Sequence, residues 1–359
     1  IQMHVLRAAG LDVARGEVMV LNRACVYPDL SNLFTRHDVT EDAVAALPDV
    51  LAEVRAQQAA LEGELPDVEI GEHCETPYTC PFLGRCWPAL PEHHVSTLYY
   101  GGKKAMRLEE AGCATLFDIP EGEPLSSVQR RQVRAVAQGA LVCEAGLADA
   151  LAALPKPYGY LDFETIMLAI PCWNGCRPYD QVPAQFVCYV RDADGEPQLR
   201  EWLAGRGEDP RPELARRLVE ACRGAAVLLV WNASFEKRCV QGLIESVPDL
   251  ADELREINTR IVDLLPIVRE HVYHPDFGGS FSLKAVLPTL VPELRYEGLE
   301  IQGGNEASRV LERLVLGEQE IDPEEHARLD EALRAYCRLD TLGMARMHDR
   351  LVEIARRGR

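Results

Sequence analysis

The chain is poor in lysine and has no long apolar run. Only five of its 359 residues are lysines, and no hydrophobic segment approaches the roughly 20 apolar residues that a membrane-spanning helix needs. Residues 1–25 lack the basic and then apolar order of a secretory signal. These absences argue against membrane insertion and secretion, and they predict a cytoplasmic protein. Because residue 1 already lies in an amphipathic segment, we expect further sequence upstream of it.

Positive charge is also scarce. The chain carries 57 acidic and 38 basic residues, which gives a formal net charge of −19 at pH 7. This sign excludes a protein that coats nucleic acid through bulk electrostatics, so any nucleic-acid contact must be local. With 47% hydrophobic and 26% charged residues, the composition is that of a folded globular protein with more than one domain.

The spacing of apolar residues predicts a mixed α/β layer in the second half of the chain. It indicates strands over 158–164, 184–190, 198–203 and 226–231, and helices over 211–222, from Ser234, and over 323–356 with Asp322 as N-cap. The first half predicts a helix near 2–9, a strand over 16–22, a long helix over 41–62 and a helical stretch over 95–145 with a break at Gly101 and Gly102. Prolines at 155 and 157 favour a domain boundary near 150–156.

Acidic residues recur at three places in this predicted layer. Asp162 and Glu164 stand two apart on a strand in YLDFET, so both side chains leave the same face. Glu236 falls in the first turn of the helix after the strand that ends at 231, in WNASFEK. Tyr336 and Asp340 stand four apart on one helix face, in AYCRLDT. Paired carboxylates on an apolar strand repel each other, and a hard divalent cation relieves that repulsion.

The order of these motifs resembles the tyrosine subclass of the DEDD exonucleases, which have an RNase H-like fold. The resemblance covers about 156–359. It implies that Asp162, Glu164, Glu236 and Asp340 bind two Mg²⁺ or Mn²⁺ ions, with Asp162 bridging them, and that Tyr336 orients or deprotonates the attacking water. Where the family usually has aspartate, this chain has Glu236, whose carboxylate extends one methylene further. The implied activity is two-metal 3′–5′ exonuclease hydrolysis of single-stranded DNA ends.

Other polar residues near these motifs leave alternatives open. Asn232 either holds a turn through an Asx-type hydrogen bond or contacts the substrate. Lys284 follows a glycine-rich loop and either opens a helix that faces a phosphate or is a solvated lysine. Asp263 is a buried strand carboxylate or a secondary site residue, and we do not assign it as a metal ligand.

A cysteine-rich loop lies in the first part of the chain. Cys74, Cys80 and Cys86 are each separated by five residues, a spacing wider than the paired cysteines of zinc ribbons. It resembles the cysteine triplet of RecB-like nucleases, which implies a [4Fe–4S] cluster and a RecB-like fragment over 1–92. The fourth ligand would lie upstream of residue 1 or be Cys25. Zinc bound with His73, or simple buried thiols, are the alternatives.

Residues 95–120 resemble a helix-hairpin-helix, and we assign 93–154 to this motif and a helical linker. The resemblance implies that Gly101, Gly102, Lys103 and Lys104 contact a nucleic-acid phosphate through backbone amides and ammonium groups. Ala105 and Leu108 would face a core, and Gly112 would end the second helix. The pair Gly101–Gly102 departs from the usual Gly-x-Gly, and a generic helical linker is the alternative.

Taken together, the parts resemble an uncharacterised bacterial family that joins a RecB-like remnant, a helix-hairpin-helix and, over 155–359, an RNase H-like exonuclease domain. The expected fold class is α/β, with a mixed sheet flanked by helices. A catalytically inactive nucleic-acid-binding scaffold is one alternative function. An RNA exonuclease is another, since no motif encodes contacts to the 2′-hydroxyl. No motif indicates a protein partner.

Overall fold

The computed structural model divides the chain into two compact units. It describes residues 1–64, 66–68, 70–74, 76–86, 90–191, 197–317 and 321–357. The first unit comprises 1–90 together with 169–179, and the second comprises 91–168 and 180–359. Among the helices that the structure describes, none combines the length and the apolar character needed to cross a lipid bilayer.

The first unit contains a β-hairpin and several helices. Its elements are α1 (Gln2–Ala8), β1 (Glu17–Leu21), β2 (Phe34–Asp38), α2 (Thr40–Ala45), α3 (Leu47–Glu62) and α4 (Leu83–Cys86). Strands β1 and β2 pair antiparallel. The prediction of one long helix over 41–62 is wrong, because the helix breaks at Ala46. Pro48 lies in the first turn of α3, where its missing amide costs no hydrogen bond.

The second unit opens with a helical segment. Its elements are α5 (Lys103–Glu110), α6 (Ser127–Gln138), β3 (Val142–Cys143) and α7 (Leu147–Ala152). Ala105 and Leu108 are buried, as predicted, and Gly112 follows α5 with a φ of 93°. Only a single 3₁₀ turn, Val95–Thr97, precedes the glycine pair. The predicted helical stretch over 95–145 is therefore interrupted, and the first helix of the proposed hairpin is short.

A five-stranded sheet flanked by helices forms the rest of this unit. Its elements are β4 (Tyr158–Met167), β5 (Gln181–Arg191), β6 (Pro197–Leu203), α8 (Arg211–Ala221), β7 (Val227–Val230), α9 (Ser234–Ser246), α10 (Ala251–Arg260), β8 (Ile261–Asp263), α11 (Leu265–His271), β9 (Val272–Tyr273), α12 (Leu283–Leu290), α13 (Gly304–Leu316) and α14 (Pro323–Arg357). The predicted mixed α/β architecture is confirmed.

The sheet combines antiparallel and parallel pairs in the order β6-β5-β4-β7-β8. Strands β4, β5 and β6 pair antiparallel, whereas β7 pairs parallel with both β4 and β8. Strand β4 is thus central, with a neighbour on each side. Outside the sheet, β3 pairs with β9 and ties the helical segment to the rest of the unit.

Two local features fix the elements that carry the site. Leu161 and Phe163 of β4 lie in the hydrophobic core with residues of α8, α9 and α10. The intervening residues of β4 therefore face the opposite side of the sheet. Helix α14 starts as predicted, because the Asp322 carboxylate accepts the amides of Glu324 and Glu325, both at 3.0 Å.

Candidate metal centre

Three carboxylates meet between the central strand and the last helix. Asp162 and Glu164 lie on β4 and Asp340 lies on α14. Each offers an oxygen, and these oxygens all lie within 4.8 Å of one another. They form the one cluster of three or more metal-ligating side chains that the described residues contain. An oxygen-only set of this kind suits a hard divalent cation.

Alternation along β4 and a bulge opposite it place the strand carboxylates. Asp162 pairs with Val187 of β5, and Glu164 pairs with Gln185, after which the register shifts between Glu164 and Thr165. A bulge kinks the strand and changes the direction of nearby side chains, and bulges are common beside active sites. Gln185 donates from Nε2 to the Leu333 carbonyl of α14 at 3.1 Å, which holds the helix on this face.

Glu236 lies beside the cluster but outside it. Its side chain enters from the first turn of α9, and the residue is only 3% exposed. Its Oε2 atom is buried and has no hydrogen-bond partner among the described residues. Burial and the nearby charge of Asp162 raise the pKa of Glu236 to about 9. An unpartnered buried carboxylate oxygen is costly in a metal-free protein and is satisfied by a cation.

Two tyrosines bind Asp340 from different elements. Tyr336 lies one helical turn before Asp340, and its hydroxyl is near enough to that carboxylate to lower the Asp340 pKa. Tyr296, in the loop between α12 and α13, donates its hydroxyl to Asp340 Oδ1. Burial and the neighbouring carboxylates raise the pKa of both phenols, so they stay protonated at neutral pH. Each phenol therefore acts as a hydrogen-bond donor.

Lys284 supplies positive charge to the same place. It lies in the first turn of α12, and Ser282 is the N-cap, with its Oγ accepting the Ala285 amide at 3.3 Å. The Lys284 Nζ atom lies 5.4 Å from the ring centroid of Tyr296 and 5.5 Å from that of Tyr336. Its charge lowers the pKa of both Glu164 and Asp340. Lys284 therefore faces the carboxylates and partly offsets their charge.

The carboxylates nevertheless hold protons more tightly than free acids do. Burial and the charge of Asp340 raise the pKa of Asp162 to about 8. Burial raises the pKa of Asp340 to about 6 against the opposing effects of Tyr296 and Lys284. For Glu164, burial and the charge of Asp162 raise the pKa well above its usual value. Without a cation, the cluster favours shared protons over full ionisation.

These raised pKa values predict that the metal-free protein loses stability as pH rises. The unfolded chain releases these protons near pH 4, whereas the folded state keeps them until about pH 6 to 8, so the free energy of unfolding falls across that window. Asp162→Asn removes one titrating group. With chelator present, we expect the melting temperature of this variant minus that of the wild type to increase by at least about 2 °C as the pH rises from 5.5 to 9.

Thermal melts of both proteins at several pH values check this expectation. A difference between the two melting temperatures that does not change with pH would show that Asp162 titrates as it does in the unfolded chain.

Asn232 and Asp263 organise the turn before α9. Asp263 accepts the amides of Asn232 and Ala233, both at 3.0 Å, and that of Leu265 at 2.9 Å. Its oxygens are thus used in holding the backbone, which agrees with leaving it out of the metal ligands. Asn232 has a φ of 70°, and its Oδ1 accepts a hydrogen bond from the Ser234 hydroxyl at 3.1 Å. Asn232 thus lies in the turn, but its Oδ1 bonds a hydroxyl instead of the backbone amide of an Asx turn, and Asp263 holds the turn's amides.

The backbone amides of the hairpin residues differ in whether they have a hydrogen-bond partner among the described residues. Gly101 is buried, its amide donates to the Leu98 carbonyl at 2.7 Å, and a Cβ there would lie 2.8 Å from that same oxygen. Gly102 is exposed, with a φ of 41°, and is the N-cap of α5. The amides of Gly102 and Lys103 have no hydrogen-bond partner among the residues the structure describes. These two amides are available to an external acceptor.

The two hairpin lysines have different surroundings. Lys103 is exposed and has no ion-pair partner within the described parts of the chain. Lys104 is half-buried, and its Nζ donates to the Pro124 carbonyl and to Gln129 Oε1. Lys104 thus links α5 to the start of α6, and Lys103 is the hairpin ammonium that a phosphate could reach.

The three loop cysteines belong to the first unit. Cys74 is buried, Cys80 is half-buried and Cys86 is exposed, and the Cys80 amide donates to the Cys74 carbonyl at 2.8 Å. Their sulfur atoms are not among the compact ligand sets found in the described residues, as a single zinc ion with His73 would require. An iron–sulfur cluster separates its thiolates further, so it stays a prediction. The Cys25 thiol contacts the Asp29 carbonyl at 3.4 Å.

Two residues of the centre were missed by the sequence analysis. Cys337 is buried, and its Sγ lies 3.3 Å from Asp162 Oδ2. It stands three residues before Asp340, and this i to i+3 spacing on one helix face could have indicated it. Tyr296 reaches Asp340 from a loop 44 residues away, and no local pattern marks it.

Comparison with known proteins gives one partial match. Residues 159–282 match a family described as a domain of unknown function, DUF2779. The matched region contains Asp162, Glu164 and Glu236, and it ends before Tyr336 and Asp340. No curated protein and no solved structure matches the chain.

Proposed function

We propose that this protein is a metal-dependent 3′–5′ exonuclease that hydrolyses phosphodiester bonds at single-stranded DNA ends. The observation that carries the proposal is the meeting of Asp162, Glu164 and Asp340, with oxygens within 4.8 Å, on the first strand of the sheet and on the last helix. These are the elements that the DEDD resemblance implies. The sheet, with antiparallel strands first and parallel strands after, supports the RNase H-like assignment.

The residues of the centre fit divalent cations. The donor set is all oxygen, Glu164 and Asp340 are buried and Asp162 is half-buried, and Glu236 Oε2 has no partner among the described residues. Asp162, Glu164 and Asp340 would hold the ions, with Glu236 at the edge of the site. The chemistry supplied there by bound Mg²⁺ or Mn²⁺ is activation of a water and stabilisation of the leaving 3′-oxygen.

The protein groups around the carboxylates have separable roles. Tyr336 stays protonated because burial and Asp340 raise its pKa, which favours orienting the attacking water over deprotonating it. Lys284 brings an ammonium to the same face, where it can approach the substrate phosphate. Tyr296 and Cys337 hold Asp340 and Asp162 in place. A pre-organised centre of this kind suits phosphoryl chemistry, in which positioning and charge dominate.

For the first unit, we propose a [4Fe–4S] cluster held by Cys74, Cys80 and Cys86. Three thiols fall within one short segment, and cysteine is the common ligand of such clusters. Cys25 hydrogen-bonds to a carbonyl of its own loop, which favours an upstream residue as the fourth ligand. The cluster would tie the cysteine loop together and take no part in hydrolysis.

The proposed chemistry is tested with the p-nitrophenyl ester of thymidine 5′-monophosphate, which needs no long binding groove. We expect purified full-length protein to release p-nitrophenol with Mn²⁺ or Mg²⁺, and we expect excess chelator to stop it, because the carboxylates alone cannot activate water. Absence of release with either metal would contradict the proposal. If oligonucleotides then bound without being shortened, the inactive scaffold would be the better reading.

A further inference from the structure

An aromatic cleft lies in the second unit, which also contains the metal centre. Its volume is about 530 Å³, and its walls include Tyr99, Tyr100, Trp231, Asn232, Phe281 and Ser282. No charged side chain lines it, although the chain carries 57 acidic residues. A cleft with aromatic walls and without carboxylates is a surface on which an unpaired base can stack.

One wall of the cleft contains a tyrosine whose side chain is exposed and whose backbone is left-handed. Tyr100 is 87% exposed and has a φ of 45°, a left-handed conformation that side-chain-bearing residues seldom adopt. Its ring meets that of Tyr99 edge-on at 4.5 Å, and Tyr99 in turn meets Phe281 at 5.0 Å. The charge of Arg269 acts on the Tyr99 hydroxyl, where it opposes the rise in pKa that burial causes, so a cation lies near this wall.

Buried glutamines of α6 fix the position of this wall. Gln129 donates to the Tyr99 carbonyl at 2.9 Å, and Gln132 both accepts the Tyr99 amide at 2.8 Å and donates to the Thr97 carbonyl at 2.7 Å. At Gly279 the backbones of the two walls meet, since a Cβ there would lie 1.9 Å from the Thr97 oxygen. The exposed ring of Tyr100 therefore projects from a rigid support.

The opposite wall also contains a strained residue. Asn232 has a φ of 70° and is held by the carboxylate of Asp263, and Trp231 Nε1 donates to the Phe281 carbonyl at 3.1 Å. Thus two of the left-handed residues other than glycine within the described chain, Tyr100 and Asn232, line the same cleft. Strained backbone of this kind is retained mostly at functional sites.

Two helices connect the lining of the cleft with residues of the metal centre. Asn232 directly precedes α9, whose first turn carries Glu236, and Ser282 caps α12, whose first turn carries Lys284. Both helices therefore begin at the lining of the cleft and carry, in their first turns, a side chain of the metal centre. The free amides of Gly102 and Lys103 lie just after Tyr100 in sequence, where they can donate hydrogen bonds to a backbone phosphate.

We infer that the aromatic cleft binds the bases of a single-stranded nucleic acid next to the scissile end, with one base stacked on Tyr100. This inference rests on the proposed function, and it states where the bases of the proposed substrate bind. Stacking requires a base that is free of its own neighbours, so the cleft selects unpaired strands over duplex. Because every base has a ring face, the cleft gives affinity without sequence preference.

The test is equilibrium binding of a fluorescently labelled 12-residue deoxythymidine strand to the full chain with chelator present, so that no hydrolysis interferes. We expect Tyr100→Ala to weaken binding about tenfold, within the range for loss of one stacked base. Tyr100→Phe keeps the ring and should bind like the wild type. Tyr78→Ala, which removes an 84% exposed tyrosine of the first unit, is the matched control and should also leave affinity unchanged.

A second strand of the same length, with abasic sites in place of the bases, separates stacking from phosphate contact. The Tyr100→Ala effect should disappear with this strand. Equal affinity of wild type and Tyr100→Ala for the deoxythymidine strand would overturn the inference, as would an equal loss with the abasic strand. If the wild type hydrolyses no ester or strand, the proposed function fails separately, and the binding comparison still decides whether the cleft holds bases.

Discussion

Asp162→Asn is expected to lower the rate of phosphodiester hydrolysis by at least about 10³-fold while the protein stays folded. The charge of Asp162 acts on two other acidic groups, because it raises the pKa of Glu164 and of Glu236, and burial together with the charge of Asp340 raises its own pKa to about 8. Replacing it with an amide removes the ligand that, by the DEDD resemblance, would serve both cations. Losing several kcal/mol of stabilisation in the transition state corresponds to this change in rate.

The fold should survive this substitution. Asparagine has nearly the same shape, its amide oxygen can keep the contact with Cys337, and one source of repulsion is removed. Asp252→Asn is the control, because Asp252 lies on α10 with a 95% exposed side chain and pairs with Arg255 one turn away. Steady-state hydrolysis and thermal melts of both variants make the comparison. An Asp162→Asn protein that keeps more than a third of the wild-type rate would remove the cluster from the reaction.

Glu236→Gln is expected to reduce hydrolysis by about 10- to 100-fold and to raise the Mn²⁺ concentration needed for half-maximal rate. Glu236 is 3% exposed, and its Oε2 has no partner among the described residues, so its negative charge serves a ligand at that position. The amide keeps the volume of the side chain but lacks the charge. The effect is smaller than at Asp162 because Glu236 lies outside the set of three oxygens within 4.8 Å.

Glu236→Asp separates charge from reach. It keeps the carboxylate and shortens the side chain to the length usual in the family that this chain resembles, so we expect activity within tenfold of the wild type. Glu245→Gln, on the exposed side of the same helix, controls for changes in α9. Titration of hydrolysis against Mn²⁺ distinguishes the variants. Equal rates and equal Mn²⁺ dependence for Glu236→Gln and the wild type would exclude Glu236 from the centre.

The part of the site that follows regular elements was predictable from the sequence. Apolar alternation along 158–164 put Asp162 and Glu164 on one face of a strand, and the four-residue spacing of Tyr336 and Asp340 put both on one face of α14. The apolar positions of such a pattern mark the face that is buried in the core, and the polar positions between them therefore mark the opposite face. The N-cap at Asp322 was visible for the same local reason.

The remaining features depend on contacts that no local pattern records. Tyr296 reaches Asp340 from an irregular loop, and the bulge opposite Glu164 arises from pairing with β5. Lys104 is taken up by a hydrogen bond within the protein because its ammonium group donates to the carbonyl of Pro124, 20 residues further along the chain. In the same way, the aromatic cleft exists only because Gly279 lets one backbone approach Thr97. These arrangements are set by tertiary packing, which composition and spacing do not specify.

The most direct test of the central claim is degradation of single-stranded DNA and RNA labelled at the 3′ or the 5′ end, with Mg²⁺ or Mn²⁺ and with excess chelator as a control. Stepwise shortening of DNA from the 3′ end, with the 5′ label retained on a ladder of products and with no reaction in chelator, is the predicted result. The same ladder with RNA alone would change the substrate assignment. Shortening from the 5′ end, or no product from any strand with either metal, would contradict a 3′–5′ exonuclease.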